Sequence, residues 1–200
     1  MKAVIIKYNA GNIRSVDYGL KRLGITPVIT DEPEIIRAAD RVVFPGQGEA
    51  RTTMNYLREH HLDRLICELK QPVLGICIGM QLMCSHSDEG GDTDCLGIFD
   101  AVVKRFIPQR HEDKVPHMGW NLLTDMRGGL FRGLPENPYV YFVHSYYVSV
   151  TEDTAATGNY IHPFSAAMQK DNFYATQFHP EKSGDTGEVI LRNFINVEYR

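Results

Sequence analysis

The chain has 200 residues, 43% of them hydrophobic, and a formal net charge of -4. It can bury a sizeable core as one domain spanning residues 1–200, and its composition excludes intrinsic disorder. The acidic balance leaves no basic surplus to neutralise phosphates, which argues against nucleic acid as a partner. No apolar stretch approaches membrane-spanning length, so no membrane role is expected. Met1-Lys2 leads directly into a strand-like run without a charged and then apolar leader, so the expected setting is cytoplasmic. There, Cys67, Cys77, Cys84 and Cys95 are expected as free thiols. No Cys-x-x-Cys pair occurs, and His60-His61 fits a solvated helix face, so neither metal nor cofactor is expected.

Lys2 to Tyr8 is a β-branched apolar run that predicts a strand. Asn9-Ala10-Gly11-Asn12 reads as a turn, after which Val16, Leu20 and Leu23 recur at helical spacing up to Gly24. Pro27-Val28-Ile29 begins a second strand, Pro33 to Ala39 forms a short helix, and Arg41 to Phe44 a third strand ending at Pro45-Gly46. One longer helix is predicted over Thr53 to Leu69. The apolar strand Pro72 to Ile76 follows, running into Cys77 and a helix from near Gly79. Such alternation implies a parallel sheet covered on both faces.

After Gly90-Gly91 the pattern turns β-rich, with strands predicted at Ala101 to Ile107, Trp120 to Leu123 and Tyr139 to Val150. Phe173 to Phe178 is the last strand. A final helix from about Asp185 to Val197 buries Val189, Ile190, Phe194 and Ile195. The expected fold is α/β: a three-layer, mostly parallel open sheet flanked by helices, with additional antiparallel strands in the second half.

Gly75-Ile76-Cys77-Ile78-Gly79 sets a cysteine between two glycines where a buried strand meets a helix, the layout of a nucleophile elbow. The glycines allow a tight turn and close backbone approach, the helix N-terminus favours a thiolate, and the Ile78 N–H can point at a developing oxyanion. Cys67, Cys84 and Cys95 lack such surroundings and read as structural.

His179-Pro180-Glu181 follows the strand Tyr174 to Phe178, and residues two apart on an extended backbone project to one side. A histidine beside Cys77 would take its proton and later donate it to a leaving amine, with the carboxylate fixing the imidazole. Carboxyl ends of strands in an open α/β sheet line its natural crevice, where Cys77 must also sit.

Gly75-Ile76-Cys77-Ile78-Gly79-Met80-Gln81 together with Gln177-Phe178-His179-Pro180-Glu181 resembles the class I glutamine amidotransferases, and the similarity runs through nearly the whole chain. The resemblance implies Cys77 as nucleophile, His179 as base, Glu181 as its orienter, and a glutamyl thioester intermediate. Lys114 to Asn121, Tyr141 to Tyr146 and Lys182-Ser183-Gly184 resemble, more narrowly, the glutaminase subunits of imidazole glycerol phosphate synthase, from histidine biosynthesis. That likeness implies a heterodimer with a (β/α)8-barrel cyclase and L-glutamine as substrate. It further implies Gly46-Gln47-Gly48 as the oxyanion strand, with the Gln47 and Ile78 amides as donors. Glutamine would be bound by Gly46, Gly48, Gln81, His144, Ser145 and Tyr146, while Asn12, Tyr141 and Lys182 would lie at the subunit interface and gate ammonia. Two positions depart from the family pattern: Gln47, where a small apolar residue is common, and Asn9, where glycine is.

Structural alternatives stand beside these roles. His117 and Trp120 would pack under the sheet, His144 would be a satisfied core histidine, and Asn12 would cap the first helix. Ammonia released at neutral pH becomes ammonium, which has no lone pair with which to attack carbon, so the nitrogen must travel sheltered. The chain has no phosphate-loop or dinucleotide fingerprint to hold an acceptor, so a second subunit is required. The competing readings are a glutaminase subunit for vitamin B6 or nucleotide synthesis, a cysteine peptidase or deglycase on a similar elbow, and a non-catalytic glutamine-sensing module.

Overall fold

The computed structural model describes residues 1–9, 12–46 and 48–198. Its first half runs β1 (Ala3–Ile6), α1 (Ile13–Arg22), β2 (Val28–Thr30), α2 (Pro33–Arg37), β3 (Arg41–Phe44), α3 (Ala50–Glu59), α4 (Leu62–Glu68), β4 (Val73–Ile76) and α5 (Ile78–Met83). The second half continues with β5 (Cys84–Ser87), β6 (Thr93–Asp94), β7 (Phe99–Arg105), β8 (His117–Leu122), β9 (Tyr139–His144), β10 (Tyr146–Val148), β11 (Thr154–Tyr160) and β12 (His162–Lys170). It closes with β13 (Phe173–Thr176) and α6 (Gly184–Asn196), and 3-10 turns lie at Gly129–Phe131 and Pro180–Lys182.

The main sheet has seven strands in the order β11-β12-β13-β4-β3-β1-β2. From β13 to β2 every pairing is parallel, while β11 and β12 join antiparallel at one edge. Strand alternation divides the core in two. Val4, Ile6, Val42 and Phe44 face Ile36 of α2, Met54 and Leu57 of α3 and Leu65 of α4. Ile5, Val43, Leu74 and Ile76 face Val16 and Leu20 of α1 and Ile190 and Phe194 of α6. Each fully buried aliphatic side chain contributes about 1.5–3 kcal/mol, so the β-branched runs of β1, β3 and β4 hold three layers together. This is the three-layer, mostly parallel architecture expected. A four-stranded sheet, β10-β7-β5-β6, and the antiparallel pair β8-β9 pack beside it.

Several elements differ from expectation. The helix predicted over Thr53 to Leu69 is two helices, broken at His60 and His61, where His61 adopts φ 56°. The buried stripe of Met54 and Leu57 resumes at Leu62, five residues on, and that spacing cannot stay on one helical face. Tyr139 to Val150 is likewise two strands in two sheets, separated at Ser145. β5, β6, β11 and β12 were not foreseen.

β3, β4 and β13 end level, with Phe44 opposite Gly75 and Ile76 opposite Thr176. Their carboxyl ends are pressed against α5. A Cβ on Gly79 would lie 2.3 Å from the Phe44 carbonyl oxygen, and one on Gly75 would lie 2.9 Å from the Gly79 carbonyl carbon. Because the opposing atoms are backbone, Gly79→Ala is expected to cost about 1–3 kcal/mol, lowering the melting temperature by roughly 2–4 °C per kcal/mol. Calorimetry checks this, and an unchanged melting temperature would mean that α5 has room to shift.

Candidate active site

Cys77 sits between β4 and α5 with φ 53° and ψ -108°, a conformation sparsely populated by non-glycine residues that costs about 1–3 kcal/mol. The Cys77 N–H donates to the Thr176 carbonyl at 2.7 Å and the Gln81 N–H donates to the Cys77 carbonyl at 3.2 Å, so both sides of the elbow are anchored. The sulfur faces a cavity of about 330 Å³ whose lining includes Ile78, Gln81, Glu89, Val143, Ser145 and His179.

His179 follows β13, and its backbone N–H donates to the Tyr141 carbonyl of β9 at 3.0 Å. Ser183 Oγ donates to the His179 carbonyl at 2.7 Å and accepts the Tyr141 N–H at 2.9 Å, stitching β9 to the segment. His179 Nδ1 bonds Glu181 Oε1 at 2.8 Å, with both side chains fully buried. Glu181 does not reach it along an extended backbone as expected. Pro180 starts a 3-10 turn, and that turn swings the carboxylate back onto the ring. His179 Nε2 is buried and makes no close hydrogen bond among the described residues, which leaves it turned toward Cys77, the group that most strongly favours the ring's charged form.

Burial alone would depress the His179 pKa. Hydrogen bonding and charge from Cys77 and Glu181 outweigh it and raise the value from 6.5 to about 9. The ring therefore holds its proton at neutral pH. Tyr8 donates to the Pro45 carbonyl just before Gly46, and its own pKa is raised by burial and by the Cys77 charge.

The opposite wall comes from β9 and β10. Burial holds His144 down to about 3 and His117 to about 4, so both are neutral. His117 Nδ1 lies 2.9 Å from His144 Nε2, and His144 Nδ1 bonds the Tyr146 carbonyl at 2.7 Å. His117 stacks on Tyr160, with ring centroids 4.1 Å apart. His144 is thus a satisfied buried histidine that also lines the cavity, along with Ser145 and Tyr146.

Of the other predicted residues, Gly48 lies exposed at the cavity and Gly46 is buried under α5, where a Cβ would meet Ile78 Cγ2 at 2.0 Å. Gln47 lies outside the described residues. Asn12 stands at the N-cap position of α1, but its side chain makes no capping hydrogen bond. Its Nδ2 instead donates to Glu181 Oε1 at 2.5 Å and approaches His179 Nδ1 at 3.4 Å. Tyr141 and Lys182 are half-buried, and Tyr141 meets Trp120 edge-on at 6.0 Å. Trp120 does not pack under the sheet, since it is 55% exposed beside exposed Met118 and Tyr139.

Sequence reasoning missed Glu89, the one carboxylate lining this cavity among the described residues. Its Oε2 accepts the Ala50 N–H at 2.9 Å, and burial raises its pKa. The acid before Gly90-Gly91 was the available signal, but only the fold brings that loop to Cys77. Cys67, Cys77, Cys84 and Cys95 are all free thiols. Among the described residues no His, Cys, Asp and Glu cluster is arranged to hold a metal, and no helix is long and apolar enough to cross a membrane.

Residues 4–197 match the family described as glutamine amidotransferase class-I. The chain belongs to the class I glutamine amidotransferase family. Within it, the chain is 65% identical over 197 residues to "Imidazole glycerol phosphate synthase subunit HisH" of Bacteroides thetaiotaomicron, covering 98% of this chain and 100% of the relative. The HisH protein of the same name from Pectobacterium atrosepticum is 48% identical over 198 residues, with the same coverage. Among solved structures, a putative GMP synthase component from Thermoplasma acidophilum superposes with a TM-score of 0.73 at 24% identity, over 98% of this chain and 92% of that one. That likeness speaks for the fold alone.

A histidine whose pKa is raised on folding contributes stability that is complete below its unfolded value and lost as pH rises through the folded one. The melting-temperature advantage of the wild type over His179→Gln should therefore be largest below pH 6.5 and shrink as pH approaches about 9. Thermal melts across this range check it, and a constant difference would mean that His179 holds no extra proton.

Proposed function

We propose that this chain is the glutaminase subunit of an imidazole glycerol phosphate synthase, hydrolysing glutamine and passing ammonia to a cyclase subunit. The observation that carries the chemistry is the buried His179–Glu181 pair, which leaves Nε2 free beside the cavity that holds Cys77. Full-length likeness to the HisH subunits supports the pathway.

In this reading residues 1–200 form a single amidotransferase domain that works in the cytoplasm without a cofactor. The Cys77 thiolate attacks the substrate carboxamide carbon, and the resulting oxyanion is met by the N–H of Ile78 in the free first turn of α5 and by the Gln47 amide. As the C–N bond breaks, the nitrogen takes the Nε2 proton of His179 and leaves as ammonia. Neutral His179 then draws a proton from water, which attacks the glutamyl thioester, releases glutamate and restores the thiolate. Glu181 keeps the imidazole oriented, and Asn12 holds Glu181. Glu89 offers the counter-charge for the substrate α-ammonium, while Gly46, Gly48, Gln81, His144, Ser145 and Tyr146 shape the rest of the glutamine site.

The partner is a (β/α)8-barrel cyclase bound as a heterodimer. It converts a phosphoribosyl-formimino carboxamide ribonucleotide into imidazole glycerol phosphate and an aminoimidazole carboxamide ribonucleotide. Exposed Met118, Trp120 and Tyr139 on one side of the β8-β9 pair support a docking face there, with Tyr141, Lys182 and Asn12 at the passage for ammonia.

Glutamate release by the chain alone, then with a cyclase barrel and its nucleotide ligand, tests both halves of the proposal. A large rise on addition is expected. Full activity indifferent to the barrel would leave the hydrolysis and remove the pathway. Cys77→Ala should abolish glutamine-dependent synthesis yet spare synthesis from ammonium salts, and loss of both would refute the division of labour. Charge reversal at Lys182 should impair coupling more than glutamine binding, as read by the ratio of synthesis to glutamate release. Equal effects would place Lys182 away from the gate.

A further inference from the structure

Gln177, directly after β13, has a fully buried side chain that bridges the nucleophile and the cavity wall. Its Nε2 lies 3.7 Å from Cys77 Sγ, within reach of a hydrogen bond to sulfur, and its Oε1 accepts Gln81 Nε2 at 2.9 Å. Partners fix which way this amide points. Gln81 Nε2 also donates to the Tyr146 carbonyl at 3.1 Å, so it is a donor and the oxygen of Gln177 must face it. The Tyr146 carbonyl is itself held by His144 Nδ1, and His144 by His117, so the orienting chain is buried and neutral.

Besides His179, whose ring is coupled to the sulfur on the base side, the remaining polar neighbour is the Val143 carbonyl, at 3.9 Å. That oxygen can take a thiol proton, but it repels a thiolate. Burial removes the water that would otherwise solvate the charged sulfur, and on the side away from His179 an N–H aimed at it replaces that solvation.

We infer that Gln177 is a further catalytic residue: its side-chain N–H hydrogen-bonds the Cys77 thiolate, holding the sulfur charged and aimed into the cavity, while Gln81 positions the amide. This rests on the reading of Cys77 as nucleophile. Gln177→Glu is the discriminating variant, since it keeps the shape and the acceptor for Gln81 but places an oxygen where the donor stood. Gln177→Leu removes both bonds.

The test is iodoacetamide labelling of the full chain across acid to alkaline pH, with the Cys77 peptide quantified by mass spectrometry. In Gln177→Glu the labelling rate at neutral pH is expected to fall about tenfold or more, and the midpoint of its pH profile to move up by about one unit. Glutamine turnover should fall in step with little change in KM. A wild-type labelling profile in Gln177→Glu would overturn the inference, whether activity is kept or lost, because Gln177 would then only tether Gln81. Should the Gln177 variants prove too unstable, Gln81→Met frees the amide to turn away. An upward-shifted profile there supports the inference and an unshifted one overturns it. Iodoacetamide reports on any accessible thiolate, so this outcome is separate from failure of the glutaminase reading, which would show as glutamate release persisting in Cys77→Ala.

Discussion

The site depends on one steric constraint: the ends of β3 and β4 are packed so closely on α5 that three positions around the elbow, Gly46, Gly75 and Gly79, have no room for a side chain. Gly79 lies against the Phe44 carbonyl, Gly75 against Gly79, and Gly46 against Ile78. Cys77 is the single residue between β4 and α5, and it takes φ 53°. Its strain, about 1–3 kcal/mol, is sustained by layers in which dozens of fully buried side chains contribute about 1.5–3 kcal/mol each. A looser junction would let the elbow relax, and the sulfur would no longer face the cavity.

Charge is handled differently on the two sides of that sulfur. On one side a buried imidazole, paired with Glu181, carries a proton near neutrality. On the other, His117 and His144 are kept neutral by burial, and His144 holds the Tyr146 carbonyl. Buried histidines on the two sides thus differ because His179 has Cys77 and the Glu181 carboxylate beside it to favour its charged form, whereas His117 and His144 have no such partners among the described residues. A second positive ring in the wall would compete for the sulfur's charge and for the Glu89 carboxylate that lines the same cavity.

The parallel half of the fold was legible because its strands are continuous apolar runs punctuated by Gly and Pro, and parallel pairing follows from their alternation with helices. The break at His60 and His61 was missed because both flanks remain apolar at helical spacing, and only the five-residue step from Leu57 to Leu62 betrays it. β11 and β12 escaped because Ala, Ser, Thr and Gly dilute their alternation, and β11 lies at the sheet edge, which tolerates that. Cys77, His179 and Glu181 stood out locally, yet the route from Glu181 to the ring did not, since a 3-10 turn seeded by Pro180 replaces the extended backbone. Glu89, Asn12 and Gln177 join the site through long-range packing that no local pattern encodes.

That long-range packing also bears on how a glutaminase could answer to a partner. β8 and β9 carry exposed Met118, Trp120 and Tyr139 outward, while β9 itself touches the site: the Tyr141 carbonyl accepts the His179 N–H, and Ser183 links the same two residues. Any partner seated on that face would press on the backbone that positions the base, within one hydrogen bond of it. The Val143 carbonyl, also on β9, neighbours the sulfur, so a small displacement of this strand alters both the base and the environment of the nucleophile. Coupling of this kind would need no separate relay, because the exposed apolar face and the wall of the cavity belong to one pair of strands.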